Sequence, residues 1–243
     1  MIVAISKASL FFGGRAIFNK IGFQINPGDR IGLVGRNGAG KSTLIKILSG
    51  AHQQDTGDLF FENNKVFFKS TKDAMKLGIE TIYQYSALIP QMSISRNIFI
   101  GRESTNMNIG NIGIMKKKEM EEAAVKALND VGLKLRSPNT PVNLLSGGER
   151  QGVVIARAMY FKSKFLILDE PTNHLSIKET NKVLDFVAGL KDQGVTSIFI
   201  THNLNHVFPI ADHLCVMARG EKIADLQKDK TDIQELTNLL VNG

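Results

Sequence analysis

The stretch LVGRNGAGKST, residues 33–43, decides the fold of this chain. It fits the pattern G-x-x-x-x-G-K-S/T from Gly35 to Ser42, and it follows an apolar run, Ile31–Val34, that predicts a short buried strand. Thr43–Leu48 predicts a helix with one apolar face. Because glycine backbone can curl around phosphate oxygens at a helix N-terminus, this order of elements predicts a nucleoside triphosphate site. A glycine-rich turn with a chance lysine is the alternative, and the flanking strand and helix argue against it.

The loop pattern also assigns roles to its residues. Lys41 is expected to reach the β- and γ-phosphates, and Ser42 is expected to reach a Mg²⁺ ion. The predicted nucleotide-binding residues of the loop are Gly35, Arg36, Asn37, Gly38, Ala39, Gly40, Lys41, Ser42 and Thr43.

Two further motifs follow, LLSGGERQ at Leu144–Gln151 and FLILDEPT at Phe165–Thr172. Phe165–Leu168 is a continuous apolar run, which is typical of a parallel strand covered on both faces. Asp169 and Glu170 stand at its carboxyl end, where ligands bind in open α/β sheets. Two adjacent carboxylates repel each other without a cation, which argues for a metal, and a solvated strand end is the alternative.

The first of these motifs predicts the start of a helix. Ser146 is a favourable N-cap, and Glu149 at the third helical position completes a capping box. A helix N-terminus of this kind can hold an anion.

A P-loop, then LSGGERQ, then an apolar strand ending in Asp-Glu: this order resembles the ATP-binding cassette (ABC) family. The resemblance implies an α/β fold, with a P-loop NTPase (RecA-like) core, an antiparallel β subdomain and an inserted α-helical subdomain. It implies one ABC ATPase domain over residues 1–243, with the core in 1–88 and 159–243 and the helical subdomain in about 89–158.

The resemblance further implies roles for the motif residues. Asp169, together with Ser42 and Gln84, would hold Mg²⁺, and Glu170 would be the base that polarises the attacking water during ATP hydrolysis. The signature would hold the γ-phosphate of an ATP bound to a second copy of the chain, in a head-to-tail sandwich of two ATP molecules. Its residues are Ser146, Gly147, Gly148 and Glu149.

Three positions match the family by their place in the chain. Gln84 follows a strand-like stretch and corresponds to a catalytic glutamine at the γ-phosphate site. His202 ends the apolar run Val195–Ile200 and corresponds to a switch histidine that touches the γ-phosphate, with a satisfied strand-end histidine as the alternative. Phe12 lies where the family places an aromatic ring against adenine, with a core position as the alternative.

One loop departs from the family pattern. After Asp-Glu-Pro-Thr, cassettes commonly continue Ser-Ala-Leu-Asp, whereas this chain has Asn173-His174-Leu175-Ser176. The Asn-His-Leu piece is similar to a soluble, translation-associated branch. Ser176 in the place of Asp puts the usual cross-dimer contact of this loop in doubt.

The composition is that of a globular chain able to bury a core, with 243 residues, 43% hydrophobic and 22% charged. The formal charge of +7 is compatible with nucleic acid or an anionic membrane surface and decides neither. The single cysteine, Cys215, indicates a reducing compartment and is predicted to lie in a strand core. The sequence has neither a run of 18 apolar residues nor a signal-peptide pattern, which predicts a chain that does not itself cross a membrane.

Local patterns predict the remaining elements. Residues 1–30 predict short strands, and residues 57–68 predict a hairpin that turns at Asn63-Asn64. Helices are predicted at Ser95–Phe99, at Lys116–Leu133, where Lys116–Lys118 would lie on a solvated face, and at 231–241. The turn-rich segment Asn106–Gly113 predicts a mobile loop.

A finer resemblance is to the ATPases of bacterial importers of ribose, xylose and fructose. Asn97–Glu103, NIFIGRE, and His206–Phe208 carry most of it. It implies a peripheral subunit on the cytoplasmic face of the inner membrane that uses ATP and Mg²⁺ to drive sugar uptake. Its partners would be a second copy, integral membrane permease subunits and, indirectly, a solute-binding protein, with no nucleic acid expected. The alternatives are transport of another solute and a soluble ABC ATPase acting on ribosome or DNA.

Overall fold

The computed structural model describes residues 1–13, 15–83, 88–109, 112–134 and 137–243. The chain forms two compact units, each built from segments that are distant in sequence. The first, called the sheet unit here, comprises Met1–Gln84, Ser163–Asn173 and Leu184–Gly243. The second, called the helical unit, comprises Tyr85–Lys162 and His174–Val183.

The regular elements are given in chain order. The strands are β1 (Val3–Phe12), β2 (Arg15–Ile25), β3 (Arg30–Gly35), β4 (Thr56–Phe61), β5 (Asn64–Val66), β6 (Ile79–Ile82), β7 (Thr105–Ile109), β8 (Ile112–Met115), β9 (Phe165–Asp169), β10 (Thr196–Thr201), β11 (His213–Ala218) and β12 (Glu221–Gln227). The α-helices are α1 (Lys41–Leu48), α2 (Thr71–Lys76), α3 (Ile94–Phe99), α4 (Lys117–Asp130), α5 (Gly147–Tyr160), α6 (Ile177–Gly189), α7 (Leu204–Val207) and α8 (Ile233–Asn242).

A six-stranded sheet in the order β12-β11-β3-β10-β9-β6 organises the sheet unit. Its strands pair in parallel except for β12, which pairs antiparallel with β11 at the edge. Strand β9 is buried along its whole length, as the apolar run in the sequence predicted for a parallel strand covered on both faces. The predicted strands before the glycine loop and before His202 are confirmed as β3 and β10.

The register of the three middle strands determines where a site can form. Ile200 lies opposite Asp169, and Thr201 lies opposite Val34, so β3, β10 and β9 end at the same edge of the sheet. This is the carboxyl edge, at which open α/β sheets bind their ligands.

A four-stranded sheet in the order β2-β1-β4-β5 forms the antiparallel part of the sheet unit. Its first two strands have 10 and 11 residues, so the prediction of short strands in this region was wrong. The hairpin between β4 and β5 turns at Glu62 and Asn63, whose φ angles are 48° and 64°, and Asn64 already pairs with Phe61. Two consecutive positive φ angles match the tight turn that strand twist favours, and they place the turn one residue before the predicted one.

One hydrophobic core joins both sheets to α1. It includes Leu44 and Ile47 of α1, Phe165 of β9 and Cys215 of β11, all of them buried. Cys215 is therefore strand core, as predicted, and burial raises the pKa of its thiol to about 12.

The helical unit has its own core between α3, α4 and α5, with Phe99, Leu128 and Val153 fully buried. The predicted helices correspond to α3, α4 and, in the sheet unit, α8. Where the residues of the predicted loop Asn106–Gly113 are described, the prediction was wrong, because they belong to β7 and β8, which pair antiparallel. Residues 110 and 111 lie outside the described residues. The polar-apolar alternation in TNMNI favours a strand, and it outweighs the turn-forming residues around it.

The basic run at the start of α4 is solvated, as predicted, with Lys116 Nζ 3.1 Å from the exposed Glu119 carboxylate. Across the described part of the chain, every helix is too short or too polar to span a membrane.

Candidate functional site

The glycine loop between β3 and α1 has the conformation that a phosphate cradle needs. A Cβ on Gly35 would lie 2.5 Å from the carbonyl oxygen of Met217, so no larger residue fits there. Gly38 and Gly40 have φ angles of 84° and 95°, which side chains strongly disfavour. A Cβ on Gly38 would meet no heavy atom within 4 Å, so the loop backbone borders open space.

Helix α1 starts beside this space with no side-chain cap. Its N-cap is Gly40, so no side chain caps the first turn, and Lys41, Ser42 and Thr43 of that turn all line the cavity. Such an N-terminus favours an anionic ligand.

Lys41 is buried against the inner side of the loop. Its Nζ donates to the carbonyl oxygens of Gly35, at 2.5 Å, and Arg36, at 3.1 Å. Burial lowers the pKa of Lys41, an effect that the Glu170 and Asp169 carboxylates oppose. The Lys41 side chain thus lies against the loop backbone and also lines the cavity, so it can rotate towards a bound phosphate.

A cavity of about 550 Å³ brings together most of the predicted residues of the sheet unit, although Gly35, Arg36 and Phe12 are not among its lining residues. This volume falls within the usual range of small-molecule sites, which is about 300 to 1,000 Å³. Its lining residues are Ile17, Asn37, Gly38, Ala39, Gly40, Lys41, Ser42, Thr43, Asp169, Glu170, Asn173 and His202.

The two adjacent carboxylates both line this cavity, and both are buried. Burial, and then the charge of Glu170, raise the pKa of Asp169 to about 6, although Lys41 and Lys46 act in the opposite direction. At Asp169, burial and the neighbouring carboxylate therefore outweigh the effect of the two lysines. A divalent cation at this position would offset both carboxylates.

Glu170 is held in place by donors from the end of β10. Its Oε2 accepts a hydrogen bond from Thr201 Oγ1 at 3.0 Å, and its Oε1 accepts from the backbone N–H of His202 at 3.1 Å. Its backbone has a φ of 48°, so the residue occupies the left-handed region that most side chains avoid. These two donors, together with the His202 ring, thus fix the direction of this carboxylate.

His202 lies next to Glu170. Its Nδ1 is 2.8 Å from Glu170 Oε1, while the side chain is 57% exposed and lines the cavity. A carboxylate accepts hydrogen bonds, so Nδ1 carries the proton in this contact and Nε2 of the neutral ring is left as an acceptor. The sequence left open a histidine whose hydrogen bonds are satisfied at the strand end. This holds for Nδ1, which is bonded to Glu170, whereas Nε2 is available to a ligand.

A second histidine, which sequence reasoning did not assign to the site, supports this group. His206 Nδ1 lies 3.0 Å from Thr172 Oγ1, and its Nε2 lies 3.1 Å from Asn203 Nδ2. The backbone N–H of Asn203 in turn donates to Thr201 Oγ1 at 3.0 Å. Burial, and then His202, lower the pKa of His206, which favours the neutral ring whose Nε2 can accept from Asn203 Nδ2.

The signature residues belong to the helical unit, where they begin α5. Ser146 is the N-cap: its Oγ accepts from the Glu149 N–H at 3.2 Å, and its own N–H donates to Glu149 Oε2 at 2.8 Å. The predicted capping box is therefore confirmed. Gly147 and Gly148 form the first turn of the helix.

Two of the predicted residues need separate mention. Phe12, at the end of β1, is 81% exposed, which excludes the core position considered as its alternative. It is not among the residues that line the cavity, whereas Ile17, which the sequence did not single out, is one of them. Gln84 lies outside the described residues.

The oxygen donors of the cavity fit a Mg²⁺ ion that is bound partly by the protein and partly by a phosphate of the ligand. Among the residues that the structure describes, there is no group of three or more His, Cys, Asp or Glu that could hold a metal. Mg²⁺ does not need one, because it is usually bound by one or two protein oxygens together with waters and substrate phosphates. Ser42 and Asp169, which line the same cavity, supply such oxygens.

A glycine loop between the buried parallel strand β3 and a helix, with carboxylates at the end of β9 two strands away, defines a P-loop NTPase core. Residues 18–173 match the model of the ABC transporter family. The chain is 45% identical over 231 residues to the xylose/arabinose import ATP-binding protein XylG of Sulfolobus acidocaldarius, which covers 95% of the chain and 90% of that relative. It is 38% identical over 229 residues to the fructose import ATP-binding protein FrcA of Rhizobium meliloti, and this match covers 90% of the chain and 86% of that relative.

The fold gives the same result. A crystal structure of an ATP-binding cassette of an ABC transporter in its ADP conformation superposes with a TM-score of 0.83 at 27% identity, covering 99% of this chain and 95% of that one. The chain belongs to the ABC transporter family. Its predicted P-loop NTPase fold is confirmed, and it is an ATP-hydrolysing cassette.

Proposed function

We propose that the chain is the ATPase subunit of a sugar importer. The observation that carries the proposal is its identity of 45% to a xylose/arabinose import protein over 95% of the chain. A fructose import protein at 38% identity supports the same substrate class, and the two names agree on import of a monosaccharide. Which sugar is taken up is a property of the partner chains that hold the solute.

The proposed chemistry uses the cavity of the sheet unit. The glycine loop and the N-terminus of α1 bind the phosphates of ATP, and Lys41 turns from Gly35 and Arg36 to the β- and γ-phosphates. Ser42 and Asp169 hold the Mg²⁺, which supplies charge neutralisation at the β- and γ-phosphates when bound.

Glu170 is the proposed general base, since its carboxylate is buried and held by Thr201 and by the His202 N–H. It accepts a proton from the attacking water, and His202 contacts the γ-phosphate through Nε2, which donates to a phosphate oxygen when the ring carries a proton on that nitrogen as well as on Nδ1. Gln84 and Phe12 are proposed to contribute a contact at the γ-phosphate and a stacking surface for adenine, respectively.

The signature completes the site from a second copy of the chain. Ser146, Gly147 and Gly148 begin a helix of 14 residues, and the positive end of its dipole suits the γ-phosphate of a partner's ATP. Binding of two ATP molecules therefore closes a head-to-tail dimer. We further propose that this dimer works on the cytoplasmic face of the membrane, with integral permease subunits and a solute-binding protein.

Uptake and partners test the proposal together. Cells that lack the gene are complemented with the parent or with Glu170→Gln, and uptake of radiolabelled xylose, arabinose, fructose and ribose is measured. We expect the parent alone to restore uptake of at least one sugar, and the tagged parent to co-purify from native membranes with an integral membrane subunit. Co-purification with ribosomes and no membrane subunit would instead support a soluble ATPase of the translation-associated class.

A further inference from the structure

Glu179, in the first turn of α6, contacts the same donors that the proposed function assigns to a γ-phosphate. Its Oε1 accepts hydrogen bonds from Ser146 Oγ at 3.0 Å and from the Gly148 N–H at 2.9 Å. Its Oε2 accepts from the N–H of Ser176 at 3.0 Å and from Ser176 Oγ at 2.9 Å. All four residues belong to the helical unit.

The glutamate side chain also fills the space over the start of α5. A Cβ added to Gly148 would lie 2.5 Å from Glu179 Cγ and 2.7 Å from Oε1. Hydrogen bonds from the backbone of Ser176 and Gly148, and then from the hydroxyls of Ser176 and Ser146, lower the pKa of Glu179 to about 2. The group at this helix N-terminus is therefore a carboxylate anion.

These donors cannot serve two anions at once. A serine hydroxyl has one proton and a backbone amide has one, so Ser146 and Gly148 each donate to a single acceptor in a well-formed hydrogen bond. A negative carboxylate at this place also repels an approaching phosphate. We propose that Glu179 is part of the signature half-site and sets its affinity, because its carboxylate competes with the γ-phosphate of the second copy's ATP for Ser146 and Gly148.

The departure from the family at Ser176 fits this role. Ser176 donates both its N–H and its hydroxyl to Glu179 Oε2, and these bonds form the N-terminal cap of α6. An aspartate at position 176 would place a second carboxylate beside Glu179 in place of a hydroxyl donor. Oε1 of Glu179 binds the start of α5, and Oε2 binds Ser176. Rotation of the carboxylate can therefore release Ser146 and Gly148 while Oε2 keeps its bonds to Ser176.

The inference rests on the proposed head-to-tail dimer, so its test uses Glu170→Gln as the reference protein. Dimer formation is followed by light scattering as ATP is titrated in the presence of Mg²⁺. We expect Glu179→Gln in this background to lower the ATP concentration at half-maximal dimer by roughly fivefold or more. Glu179→Asp, which keeps the charge but is shorter by one methylene, is expected to change it in the same direction.

Glu119→Gln in the same background is the matched control, since it removes one charge from an exposed residue of α4. It leaves the half-maximal ATP concentration unchanged. If the reference dimerises and both Glu179 variants need as much ATP as the reference or more, this inference alone is overturned. If the reference binds ATP and stays monomeric, as do both Glu179 variants, the cross-subunit site fails and this inference fails with it.

Discussion

Asp169 and Glu170 are neighbours in the sequence, yet their surroundings differ. Burial raises the pKa of Asp169 to about 6, and Lys41 and Lys46 supply only part of the charge that would offset it. Glu170 instead accepts hydrogen bonds from Thr201 and from the His202 backbone, which fix its direction. Asp169 is thus a candidate cation ligand, whereas Glu170 is an oriented acceptor.

Lys41→Ala tests the phosphate cradle. A hydrogen bond to a charged group is worth about 1.5 to 3 kcal/mol, which corresponds to a loss of ATP affinity of roughly 10- to 150-fold. Isothermal titration of ATP into the variant measures the loss, and Lys72→Ala, which removes an exposed lysine of α2, is the control. Equal ATP affinity in Lys41→Ala and the parent would refute the assignment of the loop.

Functional residues could be predicted from the sequence where they stand at a fixed spacing within a short motif. Lys41, Asp169 and Glu170 lie within short patterns, and the structure places all three around one cavity. Ile17 lines the cavity from β2, and His206 contacts Thr172 through a hydrogen bond; both are contacts between residues distant in sequence, which a single sequence does not reveal.

At the scale of elements, the amino ends of β3 and β11 are tied together at the edge opposite the nucleotide cavity. The Arg30 guanidinium donates to both carboxylate oxygens of Asp212, at 2.9 and 3.2 Å, and to the carbonyl of Ala188 at 3.0 Å. Lys191 Nζ lies 3.2 Å from the same carboxylate. Burial alone would raise the pKa of Asp212, but the hydrogen bonds from Arg30 and Lys191 lower it to about 2.

This ion pair predicts a pH dependence of stability. The pKa of Asp212 in the folded state is below the value of about 3.9 expected in the unfolded chain, so its contribution is complete above pH 4 and is lost as the pH falls towards 2. Because the group is partly exposed, we expect Asp212→Asn to cost about 1 kcal/mol at pH 7. Urea unfolding at pH 7 and at stepwise lower pH measures both effects.

The difference between variant and parent should shrink as the pH falls. Asp58→Asn, which removes an exposed partner of Lys65, is the control and should change stability much less. A constant difference across the acid range would mean that Asp212 acts by packing and not by its charge.

Elements could be predicted where the hydrophobic pattern is strong. The buried strands β3, β9 and β10 and the helix α1 follow from continuous or periodic apolar runs. The hairpin of β7 and β8 was missed, because asparagine and glycine turn signals masked a weak alternation. The first residue of the motif NIFIGRE has a structural role. The buried Asn97 side chain forms hydrogen bonds with the backbone of Ile89, Met92 and Ser93.

At the scale of the whole molecule, the proposed function gives one chain two half-sites. The nucleotide cavity belongs to the sheet unit, and the signature belongs to the helical unit. Each half-site would be completed by the other copy, so ATP binding and dimer formation are coupled by mass action.

Ser146→Arg separates binding by one subunit from closure of the dimer. The long side chain would extend from the N-cap of α5 into the space assigned to the partner's γ-phosphate. We expect ATP affinity of the single subunit to stay within about twofold of the parent, while ATP no longer produces a dimer. Fluorescent nucleotide titration and light scattering measure the two properties, and Ser70→Arg in the sheet unit controls for added bulk and charge. A parallel loss of monomer binding would mean that the signature acts within one subunit.

Glu170→Gln tests catalysis and the conformational cycle in one variant. The substitution keeps the shape of the side chain and removes the basic carboxylate, a loss that typically slows proton transfer by about 10²- to 10⁴-fold. ATP still binds, and because hydrolysis opens the sandwich, the variant should accumulate as an ATP-bound dimer. The measurement is size-exclusion chromatography with light scattering in ATP, with phosphate release followed in parallel. We expect a stable dimer with almost no phosphate release. A variant that stays monomeric and hydrolyses ATP at the parental rate would contradict the assignment of Glu170 as the base.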